Sequence, residues 1–150
     1  MSVFQVKPQR ALSSARPAAA AKAAGVSLGR IAGKDALIPR YRKHDSVAAT
    51  NAVSIEIDVV RQANNTTEPT STFVTVWFST SKEGPKNATV TYGPLNSGTL
   101  VATPSANQMY QFQTTEDGYL SFDLTKATAG TVYVRCQIGG QVMTEAYVWT

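Results

Sequence analysis

Few side chains in this sequence are of the types that perform acid–base or nucleophilic chemistry. The 150 residues include one histidine, His44, and one cysteine, Cys136. His44 lies beside Asp45, but the segment around it offers no framework that would hold a His–carboxylate pair in line with a nucleophile. Cys136 alternates with valines on one face of an expected strand, which favours a buried structural thiol over a reactive one. We therefore predict that the protein has no catalytic residues and is not an enzyme.

The sequence also lacks the groupings that bind metals or phosphates. A single cysteine and a single histidine are too few for a tetrahedral zinc site. The acidic pairs Glu56 with Asp58 and Glu116 with Asp117 lack the dense spacing of a calcium-binding loop, so we expect exposed carboxylates that aid solubility. The glycines between residues 25 and 33 do not follow a phosphate-binding spacing. No metal and no cofactor is predicted.

Charge is distributed unevenly along the chain. Residues 1–45 carry nine Lys/Arg against two Asp, a net of +7, whereas residues 46–150 carry five Lys/Arg against eight Asp/Glu, a net of −3. Such an asymmetry marks an interaction tail. The first 50 residues also show no sustained period of a strand or helix, and alanines, glycines and Pro39 dominate them. We predict that residues 1–50 form an extended basic arm that becomes ordered against a partner.

The composition of this arm favours a protein partner over nucleic acid. Aromatic residues for base stacking are sparse, with only Phe4 and Tyr41. Apolar side chains are interleaved with the cations, and these would be idle on a phosphate backbone but suited to grooves of a protein surface. Nucleic-acid binding through the same cations stays open as an alternative. The residues expected to contact the partner are Phe4, Lys7, Arg10, Leu12, Arg16, Lys22, Val26, Leu28, Arg30, Ile31, Lys34, Arg40, Tyr41, Arg42 and Lys43.

Residues 51–150, by contrast, show the period of β-strands. Apolar and polar side chains alternate in the segment 53–59, which is typical of a strand buried on one face. Turn signals such as Glu116–Gly118 and Gly139–Gly140 recur about every 8–12 residues. This spacing predicts an all-β, immunoglobulin-like sandwich of seven or eight strands, preceded by the extended basic N-terminal arm. The predicted core residues are Val53, Ile55, Ile57, Val59, Trp77, Val132, Val134, Cys136 and Ile138.

The two tryptophans are the side chains that could form a platform for carbohydrate. Trp77 lies in the aromatic and β-branched run Thr72–Ser79, which predicts a central strand, so we assign it to the core. Trp149 fits either a core position or an exposed contact.

The C-terminal part of the sequence carries a family resemblance. The stretch Thr115–Thr125 (TEDGYLSFDLT), followed by Ala129–Cys136 (AGTVYVRC) and Gly139–Gly140, resembles bacterial immunoglobulin-like domains of the invasin and intimin type. The resemblance implies a sandwich that binds other molecules. Those adhesins carry tandem domains behind a secretion signal, whereas we expect one domain, no signal and a basic arm here. This second arrangement resembles the capsid decoration and head proteins of tailed bacteriophages.

These observations together lead to a functional expectation. No apolar run reaches the roughly 18–20 residues needed to cross a bilayer, so no membrane contact is expected. We expect a virion structural protein, made in the host cytoplasm, that acts as a capsid decoration or cement protein. Its arm would dock on the major capsid protein or another virion structural protein, with homo-oligomers on the particle. The alternatives are a surface-adhesion or carbohydrate-binding immunoglobulin-like module and a nucleic-acid-packaging accessory protein.

Overall fold

Alternation of apolar and polar side chains produces nine β-strands in the computed structural model, which describes residues 36–67 and 69–150. These residues contain no helix. The strands are β1 (Leu37–Tyr41), β2 (Ala52–Arg61), β3 (Phe73–Ser79), β4 (Thr91–Ser97), β5 (Thr99–Ser105), β6 (Met109–Gln113), β7 (Tyr119–Thr125), β8 (Gly130–Ile138) and β9 (Gln141–Trp149).

The strands form two antiparallel sheets. The five-stranded sheet has the order β9-β8-β3-β6-β5, and the four-stranded sheet has the order β1-β2-β7-β4. The inner faces of the two sheets pack together and enclose the core. The predicted all-β, immunoglobulin-like sandwich is therefore confirmed, with one strand more than the upper end of the predicted count.

The core is built from the inward side chains of both sheets. Phe112 of β6 stacks on Phe122 of β7 with ring centroids 5.2 Å apart, and Phe78 of β3 lies 6.4 Å from the same Phe122 ring. These rings join the two sheets across the core. The residues that alternation assigned to the core in β2 and β8 are all buried: Val53, Ile55, Ile57, Val59, Val132, Val134, Cys136 and Ile138.

Trp77 is the exception, and its assignment to the core is wrong. In β3, Val74, Val76 and Phe78 are buried, so the intervening Trp77 points to the opposite face and is only half-buried. Successive side chains of a strand alternate between faces, and the consecutive Trp77 and Phe78 cannot both enter the core. Trp149, in contrast, is 1% exposed, and its indole Nε1 donates a hydrogen bond to the carbonyl oxygen of Asn51 at 3.0 Å.

The sandwich also begins earlier than residue 51. Strand β1 pairs with β2 in antiparallel register from Leu37 opposite Arg61 to Tyr41 opposite Ile57. The hydroxyl of Tyr41 donates to the carbonyl oxygens of Val134 (2.8 Å) and Met143 (3.0 Å), which ties β1 to the five-stranded sheet. Residues 36–50 thus belong to the folded domain, and the prediction of an extended arm now concerns residues 1–35, which lie outside the described residues.

The connection between β4 and β5 carries the chain from one sheet to the other. The expected strand at 88–92 and break at 94–98 are replaced by β4, which has register shifts after Tyr92 and Leu95. Gly98 follows with φ 103°, and a Cβ there would lie 2.9 Å from Leu120 Cδ1. Because both the backbone angle and the close approach exclude a side chain, this crossing requires glycine.

The position of Cys136 supports a test of the core. Burial raises the pKa of its thiol far above the usual range, so the side chain is an inert apolar group. We expect Cys136→Ser to lower the free energy of unfolding by roughly 1–3 kcal/mol, because a hydroxyl is placed on an apolar face. Urea unfolding measures the loss, with Thr131→Ser on an exposed position of the same strand as the control. Wild-type stability of Cys136→Ser would contradict the assignment.

Candidate binding surface

A row of uncharged polar side chains crosses the outer face of the five-stranded sheet. Thr75 of β3 lies opposite Gln111 of β6 on one side and opposite Gln137 of β8 on the other. Adjacent strands are about 4.8 Å apart, so the amide, hydroxyl and amide groups form a continuous row. Both glutamines are exposed. Gln137 Nε2 donates to the carbonyl oxygen of Gly139 at 3.0 Å, whereas the Gln111 side chain makes no hydrogen bond within the described residues.

One step along β3, an aromatic row runs parallel to the polar one. Trp77 lies opposite Met109 of β6 and Arg135 of β8. The guanidinium carbon of Arg135 is 5.2 Å from the Trp77 ring centroid, a cation–π arrangement. Arg135 also donates to the carbonyl oxygen of Gly84 (3.0 Å) and to Thr144 Oγ1 (3.1 Å). The indole and the guanidinium therefore hold each other in a fixed position.

The loop 80–87 closes the Trp77 end of this face. Trp77 Nε1 donates to the carbonyl oxygen of Gly84 at 3.3 Å, and Asn87 Oδ1 accepts a hydrogen bond from the Thr80 amide at 2.8 Å. A Cβ on Gly84 would collide with the hydroxyl oxygens of Ser79 and Ser81, so the loop approaches the sheet this closely only with glycine. The resulting depression of about 380 Å³ has Trp77, Met109, Arg135, Gln137 and loop residues 83–86 as its lining.

At the opposite end of β3, the face carries an exposed apolar ring. Phe73 is 68% exposed, more than any other large apolar side chain in the described residues, and Val101 of β5 is 50% exposed beside it. A second depression of about 340 Å³ lies here. Its lining contains no charged side chain and consists of Phe73, Val74, Thr75, Val101, Gln111, Phe112, Gln137 and Gly139.

The two depressions form one surface. They share Gln137, and Phe73 and Trp77 are four residues apart on the same face of β3, which places them about 13 Å apart along the strand. We call the surface made of Phe73, Thr75, Trp77, Val101, Met109, Gln111, Arg135 and Gln137 the Trp77–Phe73 surface. The sequence analysis had singled out only Trp77, for the core, and had missed the others; the parity of Phe73 with Trp77 in β3 was the available signal.

The described cations of the predicted arm are placed elsewhere, against a buried carboxylate. Asp58 is 4% exposed, so the expectation of an exposed, solubilising carboxylate is wrong for it. Arg42 binds both oxygens of Asp58, with Nε and one terminal nitrogen each at 2.9 Å, and Arg40 lies 3.3 Å away. The Arg42 guanidinium also lies 4.3 Å from the Tyr119 ring centroid. Arg40 and Arg42 thus fasten β1 to β2.

These contacts set the ionisation of Asp58. Burial by itself raises the pKa of this carboxyl, but the hydrogen bonds and positive charges of Arg42 and Arg40 outweigh it and hold the pKa below its usual value. Tyr41 packs on the core, and Lys43 is exposed. The remaining predicted contact residues lie outside the described residues: Phe4, Lys7, Arg10, Leu12, Arg16, Lys22, Val26, Leu28, Arg30, Ile31 and Lys34.

His44 occupies a structural position. Its Nε2 lies 3.2 Å from Glu145 Oε2, and its ring stacks on Tyr147 with centroids 3.9 Å apart. The contact links the segment between β1 and β2 to β9. Residues 36–67 and 69–150 contain no group of three or more His, Cys, Asp or Glu side chains that could hold a metal ion. Nor does this part of the chain contain a helix long and apolar enough to cross a membrane.

Comparisons with known proteins agree with the fold. No family model matches the sequence, and no curated protein matches it. A conjugative transposon lipoprotein from Bacteroides eggerthii is similar over 76% of this chain and 96% of its own, with 12% identity and a TM-score of 0.43. The adhesin InvE from Yersinia pseudotuberculosis is similar over 76% of this chain, which spans 31% of InvE, with 14% identity and a TM-score of 0.46. At these identities the likeness concerns the fold alone.

A cohesin module from a Clostridium perfringens family 33 glycoside hydrolase is similar to the same extent, over 76% of this chain and 96% of its own, with 10% identity and a TM-score of 0.44. The class of protein that the fold defines is an all-β, immunoglobulin-like domain.

The close approach at Gly84 gives a test of the loop. We expect Gly84→Ala to push the loop 80–87 off Trp77 and to lower the free energy of unfolding by roughly 1–3 kcal/mol. Acrylamide quenching should then increase, because Trp77 becomes accessible while Trp149 stays buried. Gly140→Ala is the matched control, since a Cβ there meets nothing within 4 Å. Equal quenching and stability in the two variants would show that Gly84 does not position the loop.

The Asp58 contacts give a second test, based on pH. A carboxyl with a lowered pKa in the folded state stabilises the protein above its unfolded pKa, about 3.9, and the stabilisation is lost as pH falls through the folded value. At pH 7, we expect Asp58→Asn to cost roughly 2 kcal/mol. The difference in unfolding free energy between wild type and variant should shrink between pH 5 and pH 2. A difference that is constant with pH would contradict the ion-pair account.

Proposed function

We propose that this protein is a non-catalytic binding module that attaches to a partner through the Trp77–Phe73 surface. The observation that carries the proposal is the 68% exposure of Phe73, next to the 50% exposed Val101, on the outer face of a packed sheet. Exposed apolar side chains grouped within a polar surround are a feature of interaction sites. The groups that catalysis would need are engaged elsewhere, since His44 contacts Glu145 and Cys136 is buried.

The architecture supports binding because the surface is rigid before the partner arrives. Trp77 and Thr75 lie on β3, which pairs with β6 and β8 and so has neighbours on both sides. Arg135, held by Gly84 and Thr144, restrains the indole. Side chains already fixed in position lose little conformational freedom on binding. The role that fits is attachment to an external surface by an adhesion-type immunoglobulin-like module, which requires neither a metal nor a cofactor.

A second candidate function is the capsid decoration or cement role, which the distribution of charge favours. Once Arg40 and Arg42 are assigned to the sandwich, residues 1–35 carry six Lys/Arg against one Asp, a net of +5. Residues 36–150 carry eight Lys/Arg against nine Asp/Glu, a net of −1. A basic segment of this kind suits an acidic protein such as a major capsid protein, on which several copies would sit within a virion. Nucleic acid is a weaker candidate, because the segment interleaves apolar side chains with its cations.

The two candidates are separated by mutating each region in the full chain. We expect Phe73→Ser with Val101→Ser to reduce retention of labelled protein on cells or particles of its natural source by about tenfold or more. Val148→Ser is the control, because Val148 is 36% exposed on the same sheet but lines neither depression.

Replacing Lys7, Arg10, Arg16, Lys22, Arg30 and Lys34 by Gln tests the basic segment in the same assay. Retention that survives this change but not the Phe73/Val101 change supports attachment through the sheet. Retention that is lost with the cations and kept without Phe73 and Val101 contradicts it and supports docking through the N-terminal segment.

A further inference from the structure

The chemistry of the polar row indicates what kind of ligand the Trp77–Phe73 surface takes, given that this surface is the binding site proposed above. Gln111, Thr75 and Gln137 each carry groups that donate and accept hydrogen bonds. Sugar hydroxyls have the same dual capacity. The Gln111 amide is exposed and makes no hydrogen bond within the described residues, so a ligand can engage it without breaking an existing contact.

The rings are placed for a ligand that is apolar on its faces and polar at its edges. Phe73 and Trp77 lie on either side of the polar row, about 13 Å apart along β3. A pyranose ring presents C–H groups on its faces and hydroxyls around its rim. An oligosaccharide lying along β3 would stack on both aromatic side chains and place hydroxyls over Gln111, Thr75 and Gln137.

The distribution of charge selects an uncharged ligand. The depression at Phe73 has no charged side chain in its lining. At the Trp77 end, the Arg135 guanidinium is bound to Gly84 and Thr144 and lies over the indole. The other two charged residues of that lining, Glu83 and Lys86, are of opposite sign. No unopposed charge is available for a carboxylate or a sulfate.

The same arrangement is poorly suited to a protein interface. The energetic centre of such an interface is apolar and desolvated, with polar groups at the rim. Here the polar row of Gln111, Thr75 and Gln137 occupies the centre, and the apolar rings lie at the two ends. A protein partner would have to desolvate the two amides in the middle of its contact.

We propose that the Trp77–Phe73 surface binds a neutral oligosaccharide, which stacks on Phe73 and Trp77 and forms hydrogen bonds with Gln111, Thr75 and Gln137. The two aromatic side chains provide affinity, and the polar row determines which arrangement of hydroxyls is accepted. An acidic oligosaccharide of the same length gains nothing from this surface.

The test is a titration of the full chain with neutral tetrasaccharides of gluco, manno and galacto configuration, and with a tetrasaccharide of uronic acids. Tryptophan emission reports binding, because Trp77 is half-buried at the site and Trp149 is fully buried elsewhere. We expect a saturable change with at least one neutral tetrasaccharide. Gln111→Leu and Phe73→Ser should each weaken it about tenfold or more, and Val148→Ser should leave it unchanged.

Three results would overturn the inference: no change with any neutral tetrasaccharide at millimolar concentration, tighter binding of the uronic acid tetrasaccharide, or binding unaffected by Gln111→Leu and Phe73→Ser. Its failure can be told apart from failure of the proposed function. If sugars do not bind but retention on the natural surface still requires Phe73 and Val101, the partner is a protein and the binding face stands. If retention is also independent of both residues, the binding face itself is wrong.

Discussion

The constraint on which the rest depends is the two-residue period of the central strand β3. Val74, Val76 and Phe78 fill the core against Phe122 of the opposite sheet, and this commits Phe73, Thr75 and Trp77 to the outer face. Pairing with β6 and β8 then brings two glutamines level with Thr75. The packing that stabilises the sandwich therefore also creates the binding surface, since shifting β3 by one residue would exchange its inner and outer sets.

A second constraint is the buried charge of Asp58. Its partners Arg40 and Arg42 precede the region where alternation is visible in the sequence, yet they secure β1 as an edge strand of the four-stranded sheet. Leaving a carboxylate in this position without a cation would be costly, so the two arginines have a structural role. Six cations then remain within residues 1–35, and a docking role for that segment rests on those six and on the apolar residues between them.

The sequence predicted those features that depend on local pattern. Alternation in β2 and β8 identified their core residues, and the Gly139–Gly140 turn between Ile138 and Gln141 joins β8 to β9 as expected. The inward side of β3 was ambiguous, because TFVTVWFS carries aromatic residues on both faces. Strand β1 was missed because it is short and contains Pro39, and because its stability comes from a charge 16 to 18 residues further along the chain. The polar row could not be foreseen, since it requires the register of three strands distant in sequence.

The central claim is that ligand binds on the outer face of the five-stranded sheet. The most direct measurement is a map of amide chemical-shift changes in the ¹⁵N-labelled full chain during titration with a neutral tetrasaccharide. The account requires the largest changes at Phe73, Thr75, Gln111 and Gln137, together with the indole signal of Trp77, and none at the indole of Trp149. Changes concentrated instead on β2 and β7 of the four-stranded sheet, or confined to residues 1–35, would contradict it.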